Sequence, residues 1–189
     1  MRHGRSASGT GPVAERRRLE DEAGMAFPFL VAGLSAAAPL LAMGFERWPG
    51  LAPCALCLWQ RWPYWVAAAL ALAAGLLPPG PNGQARSWLL RGAALAVLVS
   101  GAIALLHVGV EQRWWPSPLP ACQAPAVGSG TSVEDLLRDL APRPTKPCDE
   151  PAYLIQGLPL SVAMMNLIYA LLLAAWTFRQ AGRETRGMP

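Results

Sequence analysis

Pro53-Cys54-Ala55-Leu56-Cys57-Leu58-Trp59-Gln60-Arg61 sets two thiols three residues apart, directly ahead of an apolar run that begins at Trp62. Two cysteines at this spacing can close a small disulfide ring or share a metal ion, and their surroundings decide between the two. A helix beginning near Cys57 would put that sulfur among the free N–H groups of the first turn, where an anion is stabilised. Arg61 follows at i+4 from Cys57 and lies on the same helical face. Helical side chains lean toward the N-terminus, which aims the guanidinium back at the sulfur. A thiol between a helix start and a fixed cation ionises more readily, and the thiolate is the reactive form. The stretch reads as a redox pair with an anion site beside it; a zinc half-site or a structural bridge is the alternative.

The rest of the chain supplies an apolar setting. Of 189 residues, 53% are hydrophobic and 15% charged, against roughly 25% charged in soluble domains. Mean hydropathy is +0.27. The net charge is +4, but the basic residues cluster at the termini and between apolar runs. That distribution argues against nucleic acid as a partner and for a small membrane bundle whose charges report orientation.

Taken in order, residues 1–24 are polar, with Arg16-Arg17-Arg18 ahead of Glu20-Asp21-Glu22, and are expected to form a disordered extension. Residues 26–45 are apolar and uncharged apart from their flanks, and about 20 such residues cross a bilayer. Pro39 can kink this span if a neighbour covers the freed carbonyl. The run is long for a signal peptide, and Phe45-Glu46-Arg47-Trp48 is a poor cleavage site. A second run covers 62–77, with Trp62, Tyr64 and Trp65 at its front as an interfacial belt. Pro78-Pro79-Gly80-Pro81-Asn82-Gly83 ends it. Runs three and four cover 88–110 and 158–178, and 179–189 form a basic tail. Arginines gather in the N-terminal extension, around Arg86 and Arg91, and in the C-terminal tail. The positive-inside rule puts these on the cytoplasmic side. The expected fold is an all-α, four-helix transmembrane bundle over 25–178, with both termini cytoplasmic and a long outer loop at 111–157.

That loop is slightly acidic and holds Cys122 and Cys148, the only other cysteines. All four thiols then share the compartment in which disulfides persist. Between the outer two, Ser132-Val133-Glu134-Asp135-Leu136-Leu137-Arg138-Asp139-Leu140 has a capping residue followed by leucines at helical spacing, which predicts a short amphipathic helix on the membrane surface. The flanks are rich in proline and glycine, so the loop is expected to be mobile. A bridge between Cys122 and Cys148 could simply staple it. With a CxxC at the same membrane face, the two pairs could instead exchange electrons through successive mixed disulfides.

These residues carry a resemblance. The CxxC stretch with Trp62-Pro63-Tyr64, Trp115-Pro116-Ser117-Pro118 ahead of Cys122, Cys148-Asp149-Glu150, and Leu158-Pro159-Leu160-Ser161 with Asn166 together resemble the DsbB family of bacterial thiol oxidases, over roughly residues 26–178. The resemblance implies an enzyme of the bacterial inner membrane with its cysteines facing the periplasm. Cys122, with Cys148 as its mate, would exchange with a reduced DsbA-like carrier of the thioredoxin fold. Electrons would pass on to Cys54 and Cys57, and then to a ubiquinone or menaquinone facing Cys57 and Arg61. His107 lies near where some members carry a histidine beside the quinone; otherwise it is a satisfied polar group at a helix end. Two other readings compete. One is a quinone reductase of the vitamin K epoxide reductase type, in which the loop pair usually precedes the CxxC. The other is a non-catalytic membrane protein holding metal on four cysteines, although Cys122 and Cys148 are too far apart in sequence for a zinc-ribbon turn.

The charge asymmetry yields a first prediction: an impermeant thiol reagent applied to intact, reduced cells labels Cys54, Cys57, Cys122 and Cys148 from outside. Protection of Cys122 or Cys148 until lysis would contradict the orientation.

Overall fold

The computed structural model describes residues 11–47, 53–78, 83–119, 122, 147–154 and 159–186. They form four long helices: α1 (Pro12–Arg47), α2 (Ala55–Leu76), α3 (Gly83–Glu111) and α4 (Val162–Arg186). An isolated antiparallel bridge joins Tyr153 and Ser161. The fold is all-α, as the apolar runs require. Three segments, Gly24–Arg47, Gly83–Glu111 and Val162–Arg183, are long and apolar enough to cross a membrane. The expected second span, 62–77, falls in α2, whose first turns carry Gln60, Arg61 and several aromatics that dilute its hydropathy. The expected amphipathic helix at 132–140 lies outside the described residues.

Helix boundaries differ from the sequence reading at both ends of the apolar runs. Residues 12–24, expected as part of a disordered extension, are helical and continuous with the first span. Proline at the first helical position and Glu15 in the first turn favour a start there. α2 starts at Ala55 rather than near Cys57, and Cys54 is its N-cap. α3 begins at Gly83, ahead of Trp88, and buries Arg86, whose Nη2 donates to the Gly24 carbonyl of α1.

Neighbouring helices pack in sequence, α1 on α2, α2 on α3 and α3 on α4. Their shared core consists largely of small side chains, including Ala67, Ala71 and Ala74 of α2, Ala93 of α3, and Ala170 and Ala174 of α4. Small residues let backbones approach closely, which is the main source of helix attraction where lipid is as apolar as the side chains. At Gly101 of α3, an added Cβ would stand 3.2 Å from the Ala170 Cβ. Tyr169 Oη of α4 donates to the Leu34 carbonyl at 2.8 Å. That carbonyl adjoins the one deprived of its amide partner by Pro39, so a neighbouring helix steadies the proline site of α1.

At the other end of α3, Trp114 N–H reaches the Gly109 carbonyl at 2.9 Å and Arg113 N–H the Val110 carbonyl at 3.0 Å. With Arg113 at φ 59°, this is a Schellman stop. It turns the chain so that Trp115 Nε1 donates back to the Leu106 carbonyl at 3.1 Å. A Cβ on Gly109 would overlap the Trp115 indole, so glycine at 109 lets the indole lie flat on the helix.

The close α3–α4 approach makes Gly101→Leu a test of the packing. The substitution is expected to force the helices apart and cost about 1–3 kcal/mol, read as a lowered Tm in detergent. An unchanged Tm would mean that this contact is not tight.

Candidate functional site

The site grows from the first turn of α2. Cys54 is buried as the N-cap, and its Sγ accepts the Cys57 N–H at 3.2 Å. The sulfur at the helix N-terminus is therefore that of Cys54, one turn earlier than a start near Cys57 would give. Cys57, half-buried in the first turn, has its Sγ 2.8 Å from that of Cys54. Both cysteines precede the apolar run at 62–77. With both sulfurs reduced, the hydrogen bond from Cys54 lowers the Cys57 thiol, burial opposes this, and His107 assists it. The Cys54 thiol is raised by the same hydrogen bond and by burial. With both sulfurs reduced, the proton is thus favoured on Cys54 and the negative charge on Cys57.

Arg61 does not turn to the sulfur. Its Nη2 pairs with Glu46 Oε1 in the last turns of α1, and both side chains are largely shielded from solvent. Position i+4 puts Arg61 on the face of Cys57, but an acidic partner on the neighbouring helix claims its guanidinium. Cys57, Gln60, Arg61 and Glu46 nevertheless share the wall of one cavity of about 350 Å³. Its remaining lining is mostly apolar and comes from α1 and α4, including Leu41, Phe45, Ala163 and Met165, with Tyr64 and Asn166 as further polar groups.

Behind the sulfurs a buried polar network joins three helices. His107 of α3 has Nε2 3.5 Å from Cys54 Sγ and Nδ1 3.1 Å from Gln60 Nε2. Asn166 of α4 donates to Gln60 Oε1 at 2.8 Å and accepts from Tyr64 Oη at 2.8 Å. Glu111, one turn beyond His107, has Oε1 3.8 Å from His107 Nε2 and accepts from Ser161 Oγ at 2.5 Å. Ser161 also caps α4, since its Oγ accepts the Met164 N–H at 3.2 Å. Sequence reasoning raised His107 but counted Glu111 as an outer-loop charge, and it assigned no role to Gln60 or Glu46. The i, i+4 spacing of His107 and Glu111 was the available signal.

The outer cysteines arrive at the same place. Cys122 and Cys148 form a disulfide with Cα atoms 4.8 Å apart. They are buried in one cluster with Cys54, Leu56 and Val110, against which Cys57 also packs. The bridge is less open than a mobile loop implies, because Cys122 is only 2% exposed. It borders a second cavity of about 360 Å³ with Arg113, Trp115, Pro116, Ser117 and Asp149. The bond also removes two ligands from a four-cysteine metal site. Cys54, Cys57 and His107 hold ligand atoms within 4.8 Å of one another, and among the described residues no fourth His, Cys, Asp or Glu completes the set. Closed structural zinc sites use four ligands.

Comparison with known proteins agrees with this arrangement. A family model described as disulfide bond formation protein DsbB matches residues 25–179. A disulfide bond formation protein B from Chromobacterium violaceum is 33% identical over 163 residues, covering 84% of this chain and 93% of the relative. One from Acinetobacter baylyi is 29% identical over 142 residues, covering 73% and 67%, and one from an Azoarcus species is 28% identical over 177 residues, covering 84% and 95%. No solved structure gives a significant match. With its two cysteine pairs in one buried cluster at the ends of apolar helices, and the family model spanning nearly all of them, the chain belongs to the DsbB family.

Proposed function

We propose that this chain is a thiol oxidase of the bacterial inner membrane that reoxidises a periplasmic, DsbA-like dithiol carrier and delivers the electrons to a membrane quinone. In this reading all four helices cross the bilayer, both termini are cytoplasmic, and the cysteine-bearing ends face the periplasm. The observation that carries the proposal is the cavity at Cys57: a largely apolar space of about 350 Å³ with a thiol, a guanidinium and two amides in its wall. Ligand sites for compact organic molecules are built this way, mostly apolar with a few placed polar groups. The lining suits a quinone ring of either the ubiquinone or menaquinone type. A bound quinone supplies a two-electron, two-proton acceptor.

The chain's own residues account for the remaining steps. The carrier's thiolate attacks Cys122, breaking the Cys122–Cys148 bond, forming a mixed disulfide and releasing Cys148 as the leaving thiolate. The carrier's second thiol then closes the carrier's disulfide and frees Cys122. The reduced outer pair passes its two electrons to a Cys54–Cys57 disulfide, and packing of all four cysteines in one cluster supports this exchange. Cys57, the sulfur held as thiolate, lines the cavity and hands the electron pair on as its bond to Cys54 re-forms. Arg61 holds positive charge where the acceptor oxygen becomes anionic. Glu46 keeps that guanidinium fixed between α1 and α2.

Two experiments test the roles. With a carrier that lacks its second cysteine, the unaltered chain is expected to accumulate a mixed disulfide at Cys122 on non-reducing gels, because the Cys122–Cys148 bond is broken by the carrier thiolate and no carrier thiol is left to release it. Cys122→Ser should accumulate none through this pair, and equal trapping by both chains, or by neither, would mean that the outer bridge is structural. Arg61→Lys keeps the charge but loses the planar fork. It is expected to raise the apparent KM for quinone and slow its reduction. Arg61→Ala should do both more severely, by about 2–4 kcal/mol in kcat/KM, while trapping at Cys122 persists. Wild-type quinone kinetics in Arg61→Ala would reduce the residue to an interfacial cation.

A further inference from the structure

Glu111 is an unusual residue to find where it is. It ends a membrane-crossing helix, is only 8% exposed, and its carboxylate is held by the Ser161 hydroxyl while facing His107. A buried carboxylate is costly unless hydrogen-bonded and paired with positive charge. The group before it is an imidazole, itself 3% exposed, whose Nε2 also faces Cys54. Sulfur and carboxylate thus flank the same imidazole nitrogen, Nε2, so a positive charge on the ring lies between the carboxylate and the cysteine pair.

We propose that Glu111 is a positioning residue that makes His107 the proton acceptor of the Cys54–Cys57 pair. Proton uptake at this imidazole then accompanies reduction of the pair. The inference rests on Cys54–Cys57 being the pair that receives electrons, as proposed above. Reduction breaks the S–S bond with two electrons from the outer dithiol and takes up two protons. One proton stays on Cys54 as a thiol, Cys57 remains a thiolate, and the second proton goes to His107. When the S–S bond re-forms, two electrons and both protons leave to the quinone.

The surrounding side chains can serve both states of the imidazole. With His107 neutral, Gln60 Nε2 donates to Nδ1, which leaves the ring proton on Nε2, facing the sulfur. Protonation puts a second N–H on Nδ1. Half-turns of the Gln60 and Asn166 amides then exchange donor for acceptor along the row, and Tyr64 Oη can accept as well as donate. The titratable groups brought to His107 are Cys54 and Cys57 from the start of α2 and Glu111 from its own helix. α4 adds the neutral Asn166, through Gln60, and Ser161, through Glu111. Arg61 is paired across the cavity with Glu46 of α1.

The test is the pH profile of Cys57 alkylation by iodoacetamide in the full-length, dithiothreitol-reduced protein, read by peptide mass spectrometry with neither carrier nor quinone present. Glu111→Gln preserves shape and an acceptor for Ser161. If Glu111 sustains an imidazolium beside the sulfur, its loss moves the profile to higher pH by about one unit. A carboxylate acting only through its own charge would repel the thiolate, so removing it would move the profile to lower pH. A downward shift or an unmoved profile overturns the proposal. If E111Q does not purify folded, Ser161→Ala decides, since it loosens the carboxylate without removing its charge: a smaller upward shift supports the proposal and an unmoved profile overturns it. Neither readout requires oxidase turnover, so failure here is distinct from failure of the thiol-oxidase reading.

Discussion

One buried amide ties the three helices of the site together. Gln60 of α2 bonds to His107 of α3 and Asn166 of α4 through its two side-chain atoms, and its backbone carbonyl accepts from Ser100 Oγ of α3 at 2.9 Å. In an apolar setting an unmatched polar group costs several kcal/mol, so these bonds specify how the first turns of α2 lie against α3 and α4. The CxxC sits on that turn. Its sulfurs consequently meet His107 on one side and the apolar cavity on the other.

The same constraint separates the two thiols chemically. Cys54 lies inward as the helix cap, against the imidazole, while Cys57 opens to the cavity wall. Unequal burial and a shared proton distinguish the two sulfurs, and Cys57 is the one that lines the cavity proposed for the acceptor. On the outer side, the Schellman stop after α3 and the Trp115 indole fix the path toward Cys122. Backbone hydrogen bonding of Cys148 N–H to the Cys122 carbonyl at 3.2 Å and of Val162 N–H to the Ala152 carbonyl at 2.8 Å carries the chain from the bridge into α4. The outer pair is thereby anchored to the end of α3 on one side and to the start of α4 on the other.

Much of this was legible in the sequence, because apolar runs and cysteine spacing are local signals. The all-α class follows from the runs, and the CxxC with a second outer pair marked the chemistry. What local reading missed was set by contacts across helices. Arg61 shares a face with Cys57, but no spacing rule could reveal that Glu46, at the end of a different helix, would take its guanidinium. Glu111 looked like the first charge of a loop because hydropathy ends there. Helix α3 runs one residue further, and a serine from the start of α4 receives the carboxylate. Residues 12–24 were expected to be disordered on polarity alone, yet a proline start and helix-favouring composition continue α1 through them.

The central claim is that four cysteines and one cavity form a single electron path from a protein dithiol to a quinone. The direct measurement is anaerobic mixing of the purified protein with quinone and a reduced thioredoxin-fold carrier, following quinone absorbance alongside carrier thiols. The account predicts one quinone reduced for each carrier disulfide formed, with no reduction when Cys57 is replaced by serine. Carrier oxidation without quinone reduction, or quinone reduction that survives loss of Cys57, would contradict it.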